Sequence, residues 1–320
     1  MTSRLKQFVA LTGLAVTELF RQPACFLLIL CGCAFTVLVP LAVSHQLGQA
    51  THLTVDSSLS FELVFGMILA GYAACSTLHN ECRSGTILMV FSKPVGRLMY
   101  FLAKFTAVSI LIAFFIFCSS AASLLAERVT PRNFEFDALG NRLLLATPFI
   151  AFLPPAFLNF RKHRAFLPLS LVLFALTLTA WVLILGSVDW EGHRTAFATM
   201  IEWRLLPASL LEGLALFMMA AIALSLASRL STPATVAILA LILMMGLISD
   251  HLAMLMSASS SSQLALRLFL PDIQAFWPAD KLAGDGLITP SLISHAFVYA
   301  MAYGMGALSL GYAAFRNRQF

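Results

Sequence analysis

The chain has 320 residues, of which 60% are hydrophobic and 11% charged, with a formal net charge of +5. A soluble globular chain carries about 45–50% apolar and about 25% charged residues, so this one has too little polar surface to cover a core of its size. A mean hydropathy of +0.89 and 27 phenylalanines place the excess against lipid. This excludes a collagenous, disordered or disulfide-stapled secreted chain, and also a large soluble catalytic domain.

The first predicted element covers residues 1–23. Leu5, Phe8, Val9, Thr12, Val16, Leu19 and Phe20 recur at near-helical spacing, with Arg4, Lys6, Gln7, Thr17, Glu18 and Arg21 largely on the opposite side. That pattern predicts an amphipathic helix in the membrane interface, broken by Pro23 before the first span. A longer first helix that starts in water is the alternative. A full-length apolar run preceded by a helix does not resemble a cleaved signal peptide.

A membrane-spanning helix needs about 20 mostly apolar residues. Eight windows qualify: Ala24–Val43, Leu59–Leu78, Ala103–Ala126, Leu143–Leu158, Phe166–Gly186, Ala208–Ser228, Ala234–Met254 and Ala296–Phe315. The expected fold is an all-α polytopic transmembrane helix bundle of about eight spans. The fourth window is the weakest, because Pro148, Pro154 and Pro155 remove helix donors and would kink it.

Charge argues that this window crosses. If it does, both termini share a side with the loops at Glu81–Phe101, Asn159–Ala165 and Arg229–Pro233. That side then holds most of the 20 Lys and Arg residues against only Glu18 and Glu81. If it does not, Arg161, Lys162, Arg164, Arg316 and Arg318 face outward, against the positive-inside rule. Both termini are therefore expected in the cytoplasm. The basic excess belongs to these loops, so no nucleic-acid partner is indicated.

Three carboxylates fall inside windows, where ionisable residues are costly and default to functional candidates: Glu62, Glu212 and Asp250. All three sit toward the external ends of their windows, which favours structural pairing with a neighbour such as Arg204 over a proton relay. Cys75, His79 and Cys82 have i, i+4, i+7 spacing and could share one helix face, but they lack a fourth metal ligand, so packing is the better reading. None of the six cysteines lies in an external loop. No metalloprotease, serine-hydrolase or Walker A pattern occurs, so no catalytic residue, resident metal or cofactor is expected in this chain.

The most informative stretch is residues 80–102. Gly85 ends one helix, Thr86 caps a short apolar turn over Ile87–Phe91, and Lys93-Pro94 breaks that turn before Gly96-Arg97 opens the next helix. An apolar turn containing Ile87, Leu88, Val90 and Phe91, ringed by Glu81, Arg83, Lys93 and Arg97, is suited to docking a protein. An ordinary positive-inside loop explains the charges but not the apolar turn with its defined breaks.

This loop, with its Glu-x-x-Ser-Gly-Thr and Ser-Lys-Pro-x-x-Arg elements followed by Lys104, resembles the ABC-2 type permeases, the membrane subunits of bacterial ATP-driven exporters. Glu18-Leu19-Phe20-Arg21-Gln22-Pro23 and Leu224–Pro233 are similar to stretches of that family. Leu268–Asp285, within the external segment 255–295, resembles its amphipathic segment before the last span. The family core has six spans, and the hairpin 143–186 is surplus to it.

The resemblance implies a multi-pass protein of the bacterial cytoplasmic (inner) membrane that pairs with a second permease copy or paralogue. Two copies of a cytoplasmic ABC ATPase subunit, holding ATP and magnesium, would dock on the loop and drive transport, export being the family's habit. Ala300, Gly304, Ala307 and Gly311 in the last window allow close helix packing, within the chain before any dimer seam. Two other readings stand beside this one: an ATPase-coupled scaffold or mechanotransmitter that moves no substrate, and an intramembrane enzyme using the cysteine, histidine and carboxylate positions.

Overall fold

The computed structural model describes residues 2–43, 50–84, 95–131, 137–163, 165–190, 193–197, 199–249, 270–277 and 288–317. In chain order the elements are α1 (Thr2–Phe20), α2 (Pro23–Val43), α3 (Ala50–Ala74), a π-helical turn (Cys75–His79) and α4 (Asn80–Ser84). Then follow α5 (Arg97–Val129), α6 (Ala138–Lys162), α7 (Phe166–Leu185), α8 (Leu205–Ala227), α9 (Thr232–Leu247), a 3-10 turn (Gln274–Phe276) and α10 (Pro290–Arg316). Among the described residues the extended pairing is one isolated bridge, Val188 to Arg194.

Seven segments are long and apolar enough to cross a bilayer: Pro23–Val43, Ala50–Cys82, Arg97–Val129, Ala138–Lys162, Phe166–Leu185, Leu205–Ala227 and Pro290–Arg316. The protein is thus an all-α, multi-pass helix bundle. Two of these segments have 33 residues, about 50 Å at 1.5 Å per residue, against a hydrocarbon core of about 30 Å. They outrun the apolar windows because backbone hydrogen bonding continues into polar flanks.

The seventh window behaves differently. It holds α9, of only 16 residues, about 24 Å long. The chain returns onto its end: Ile273 N–H donates to Gly246 O at 3.3 Å, and a Cβ at Gly246 would lie 2.7 Å from Pro271 O. Asp272 N–H donates to the Tyr299 hydroxyl at 2.9 Å, fixing this return against α10. In the fourth window α6 runs as one helix through Pro148, Pro154 and Pro155. Asp137 caps its start by accepting from Gly140 N–H at 2.9 Å, and His163 ends it at φ 50°.

The core sits where α3, α5 and α8 meet. Gly66 makes this approach possible, because a Cβ there would lie 2.4 Å from Leu216 Cδ1 and 3.1 Å from Phe115 Cε1. From the other side Gly32 brings α2 onto the Phe115 ring. α10 packs on α8 through the small residues noted above: Ser225 Oγ donates to Ala307 O at 2.7 Å, and a Cβ at Gly311 would meet Ser225 Oγ at 2.3 Å. That seam is internal to the chain.

α1 packs lengthwise on α5. Thr12 meets Thr106 through their hydroxyls at 3.2 Å, and Phe20 meets Phe114 edge-on at 5.2 Å, the same step along both helices. Ala15 and Leu19 are buried there, while Leu5, Val9 and Leu14 stay exposed. Part of the apolar face expected to meet lipid is therefore spent on the bundle. The chain turns at Arg21 and Gln22, and Pro23 opens α2, where its missing N–H costs nothing.

Candidate functional site

Two polar sites stand out in the apolar bundle, one at the end where α4 and α5 meet and one inside the core. Of the expected docking loop, Gly85, Thr86, Ile87, Leu88, Val90, Phe91, Lys93 and Pro94 lie outside the described residues, as does the side chain of Arg83. Glu81 and Arg97, on its flanks, are described.

Tyr100 and Lys104 are one turn apart on α5, so both side chains can reach one group on α4. The Tyr100 hydroxyl donates to Glu81 Oε2, and Lys104 Nζ donates to Glu81 Oε1. The Lys104 side chain is 6% exposed and that of Glu81 18%, so this is a largely desolvated ion pair. Lys104 Nζ also lies 5.5 Å above the Tyr100 ring, which stacks on Phe315 of α10 at 6.1 Å.

Arg97 and Arg229 complete this end. Arg97 Nη1 donates to Arg316 O at 2.7 Å, and Arg229 Nη2 donates to Ala314 O at 3.3 Å. Both guanidinium groups thus meet the carbonyl end of α10, where a helix favours positive charge. Glu18 of α1 joins the cluster electrostatically: burial pushes its carboxyl above the usual range, Lys104 opposes that shift and Glu81 adds to it. The helices flanking the loop are therefore tied to each other, to α1 and to α10. The sequence marked Glu81, Arg97 and Lys104; Tyr100 was missed, although its i, i+4 spacing to Lys104 was the available signal.

The π turn at Cys75–His79 lies directly before α4. It adds a residue to one turn and so rotates the faces that follow by about 100° relative to α3. The i, i+4, i+7 face drawn through Cys75, His79 and Cys82 is broken by it. Among the described residues no group of three or more His, Cys, Asp or Glu side chains is placed to hold a metal ion.

The intramembrane carboxylates Glu62 and Glu212 are buried inside the bundle, away from Arg204. Glu62 and Glu212 are 0% and 1% exposed, and Arg204 pairs instead with Glu202, Nε to Oε1 at 2.7 Å. The reason is helical register. Glu62 is one turn from Gly66, Glu212 one turn from Leu216 and Ser119 one turn from Phe115, so the close contact of Gly66, Leu216 and Phe115 sets these three polar residues at one level. Glu212 lies within electrostatic reach of Glu62, and the hydroxyls of Ser119 and Ser209 sit beside Glu62. Neither serine was singled out from the sequence, since a serine in an apolar helix carries no signal by itself. Asp250 lies outside the described residues.

The opposite end of the bundle has its own buried pair. Arg128 Nη2 lies 3.6 Å from Asp137 Oδ2, with both side chains nearly inaccessible. The same guanidinium donates to Val188 O at 3.3 Å and lies over the Trp190 ring at 5.2 Å. It closes the connections α5–α6 and α7–α8 onto each other.

Comparison of the chain with protein-family models and with curated proteins returns no match.

Proposed function

We propose that this chain is the transmembrane permease subunit of an ATP-driven transporter of the ABC-2 type. It works with a second permease copy or paralogue and two cytoplasmic ATPase subunits, and ATP with magnesium binds in those partners. The loop 85–94 is the docking surface, with the end of the bundle bearing Arg97, Lys104, Arg229 and Arg316 toward the cytoplasm. The observation that carries this reading is the Glu81–Tyr100–Lys104 clamp at the base of that loop.

A clamp of this kind makes the flanks of the loop one mechanical unit. A push on residues 85–94 reaches α4 and α5 together, then α10 through Tyr100–Phe315 stacking and the Arg97–Arg316 hydrogen bond. Rigid-body motion of packed helices is the usual way such a displacement reaches a distant pathway. The chain direction supports the same orientation: α10 ends beside the start of α5.

The test is purification of the chain from its native membrane in mild detergent. A P-loop ATPase should co-elute with magnesium-dependent ATP hydrolysis, and the double variant Ile87→Asp, Phe91→Asp should lose both while remaining membrane-inserted. Retention of the ATPase by that variant would remove the docking assignment. Hydrolysis that is tightly coupled to the chain but indifferent to every transport substrate tried would favour the mechanotransmitter.

A further inference from the structure

We propose that the cleft between α2 and the α6–α7 hairpin is a binding site for one acyl chain of an anionic phospholipid, whose phosphate is held by Arg142 at the mouth. The inference concerns the end of the bundle that carries Arg128 and Asp137, and it stands whether or not an ATPase docks on the loop.

The cleft has walls, a floor and a side opening. Leu30, Val37 and Leu41 of α2, Leu144 and Phe152 of α6 and Phe174 of α7 surround a volume of about 430 Å³. Phe152 closes its deep end, stacking on Phe174 at 6.3 Å and meeting Phe26 edge-on at 6.1 Å. Leu38, Leu41 and Leu145 line it and are exposed, so it opens sideways to the bilayer.

The polar groups in these walls are turned to the protein itself. The Thr147 hydroxyl donates to Leu143 O at 3.1 Å and accepts from Trp181 Nε1 at 3.0 Å. Asn141 Nδ2 donates to Asp137 O at 3.0 Å. Pro40 and Pro148 also line the cleft and have no N–H to offer. An occupant therefore meets hydrocarbon, and burying a polar group there without partners would be costly.

Size and length select a single chain from one leaflet. Eleven residues separate Asn141 from Phe152 on α6, and eleven separate Leu30 from Leu41 on α2. Each distance is about 16 Å at the helical rise, against about 15 Å for half of the hydrocarbon core. At about 30 Å³ for each water-sized unit, which is also a fair size for a methylene, the volume takes about fourteen carbons. Two chains side by side would not fit.

Charge selects the headgroup. Arg142 follows the cleft-lining Asn141, is exposed, and makes no ion pair among the described residues. The carboxylate nearest in sequence, Asp137, is committed to Arg128 and to Gly140 N–H. Nineteen residues of α6 separate Arg142 from Arg161, about 28 Å, close to the thickness of the hydrocarbon core of about 30 Å. The two arginines thus stand at opposite headgroup levels. Trp181 meets Thr147 about 7 Å below Arg142, the depth at which tryptophan marks a membrane interface. An apolar slot with a free guanidinium at its headgroup end matches a phosphate followed by an alkyl chain.

The experiment uses the full chain in phosphatidylcholine nanodiscs and, as probe, phosphatidylglycerol carrying a diazirine halfway along one acyl chain, with adducts mapped by mass spectrometry. Adducts in segments 30–41 and 144–152 should exceed those on the exposed face of α10 at Val298 and Met305, which reports ordinary lipid contact. A phosphocholine headgroup on the same probe should lower the cleft adducts about fivefold, the effect of one arginine beside an anionic headgroup, and leave those on α10 unchanged. Arg142→Gln should erase that headgroup difference. Ala34 lines the cleft and is exposed, so Ala34→Trp should fill it without disturbing the core, removing the cleft adducts at unchanged thermal stability. Cleft adducts no more abundant than those on α10, or undiminished in Ala34→Trp, overturn the proposal, as does a headgroup preference that survives Arg142→Gln. Leu145→Cys, in a background without other exposed thiols, should stay monomeric on mild oxidation. A disulfide-linked dimer would mean that a second copy of the chain fills the cleft, and overturns the lipid assignment equally.

Discussion

Lys104 of α5 closes onto Glu81 of α4, and the Tyr100 hydroxyl donates to the same carboxylate. The pair stands at the mouth of the loop whose residues carry the proposed docking surface, and it is shielded enough for its loss to matter.

Replacing Lys104 with Met leaves the Glu81 carboxylate without its cation. Removing one partner of a buried pair costs about 3 kcal/mol, toward the lower end of the usual range because Glu81 keeps some solvent. Thermal unfolding in detergent should shift down for Lys104→Met and recover in part for Glu81→Gln with Lys104→Met. A loss in the double variant equal to the sum of the Lys104→Met and Glu81→Gln losses would mean the two side chains act independently.

Gly66 marks a close helix approach in the core. Gly66→Val forces a side chain toward Leu216 and Phe115, and overpacking of that kind costs typically about 1–3 kcal/mol. Lower detergent stability with partial rescue by Leu216→Ala is the expected pair of results. A variant as stable as the parent would show that α3 and α8 can separate at this level without loss.

Glu18 supplies a pH dependence. Its folded pKa lies above the ordinary value of 4.5, so the folded chain binds more protons than the unfolded one over a window above that value. Its contribution to stability is present below that window and is lost as pH rises through it. Glu18→Gln should therefore gain stability over the parent at neutral pH, and the advantage should vanish on acidification to about pH 4. An unchanged difference across that range would disprove the assignment.

Lys162, at the end of α6, and Arg316, at the end of α10, belong to the same end of the bundle in the proposed orientation. Single cysteines at these positions, in a background without exposed thiols, should be labelled from the same side of sealed vesicles. Labelling from opposite sides would show that α6 does not cross as proposed.

Much of the architecture was legible in the sequence because lipid imposes a simple rule: a crossing helix must be apolar over its whole length. Seven of the eight windows meet helices long enough to cross. In the seventh window, whose last residues 250–254 lie outside the described ones, the described helix is shorter, and hydropathy does not register a chain returning onto a helix, as Pro271 and Ile273 do at Gly246. The clamp was half legible. Glu81 and Lys104 are conspicuous where charge is scarce, whereas Tyr100 blends into an aromatic-rich chain.

The carboxylates mark the boundary between the two kinds of information. Composition and hydropathy by themselves determined that the chain is a helical membrane protein and that Glu62 and Glu212 were unusual in it. Their burial, their nearness to one another, and the choice of Ser119 and Ser209 as neighbours were decided only by the tertiary structure. Register between three helices depends on which small residue admits which large one, and at Gly66 that choice is made by Leu216 and Phe115, far apart in the chain and adjacent only after folding.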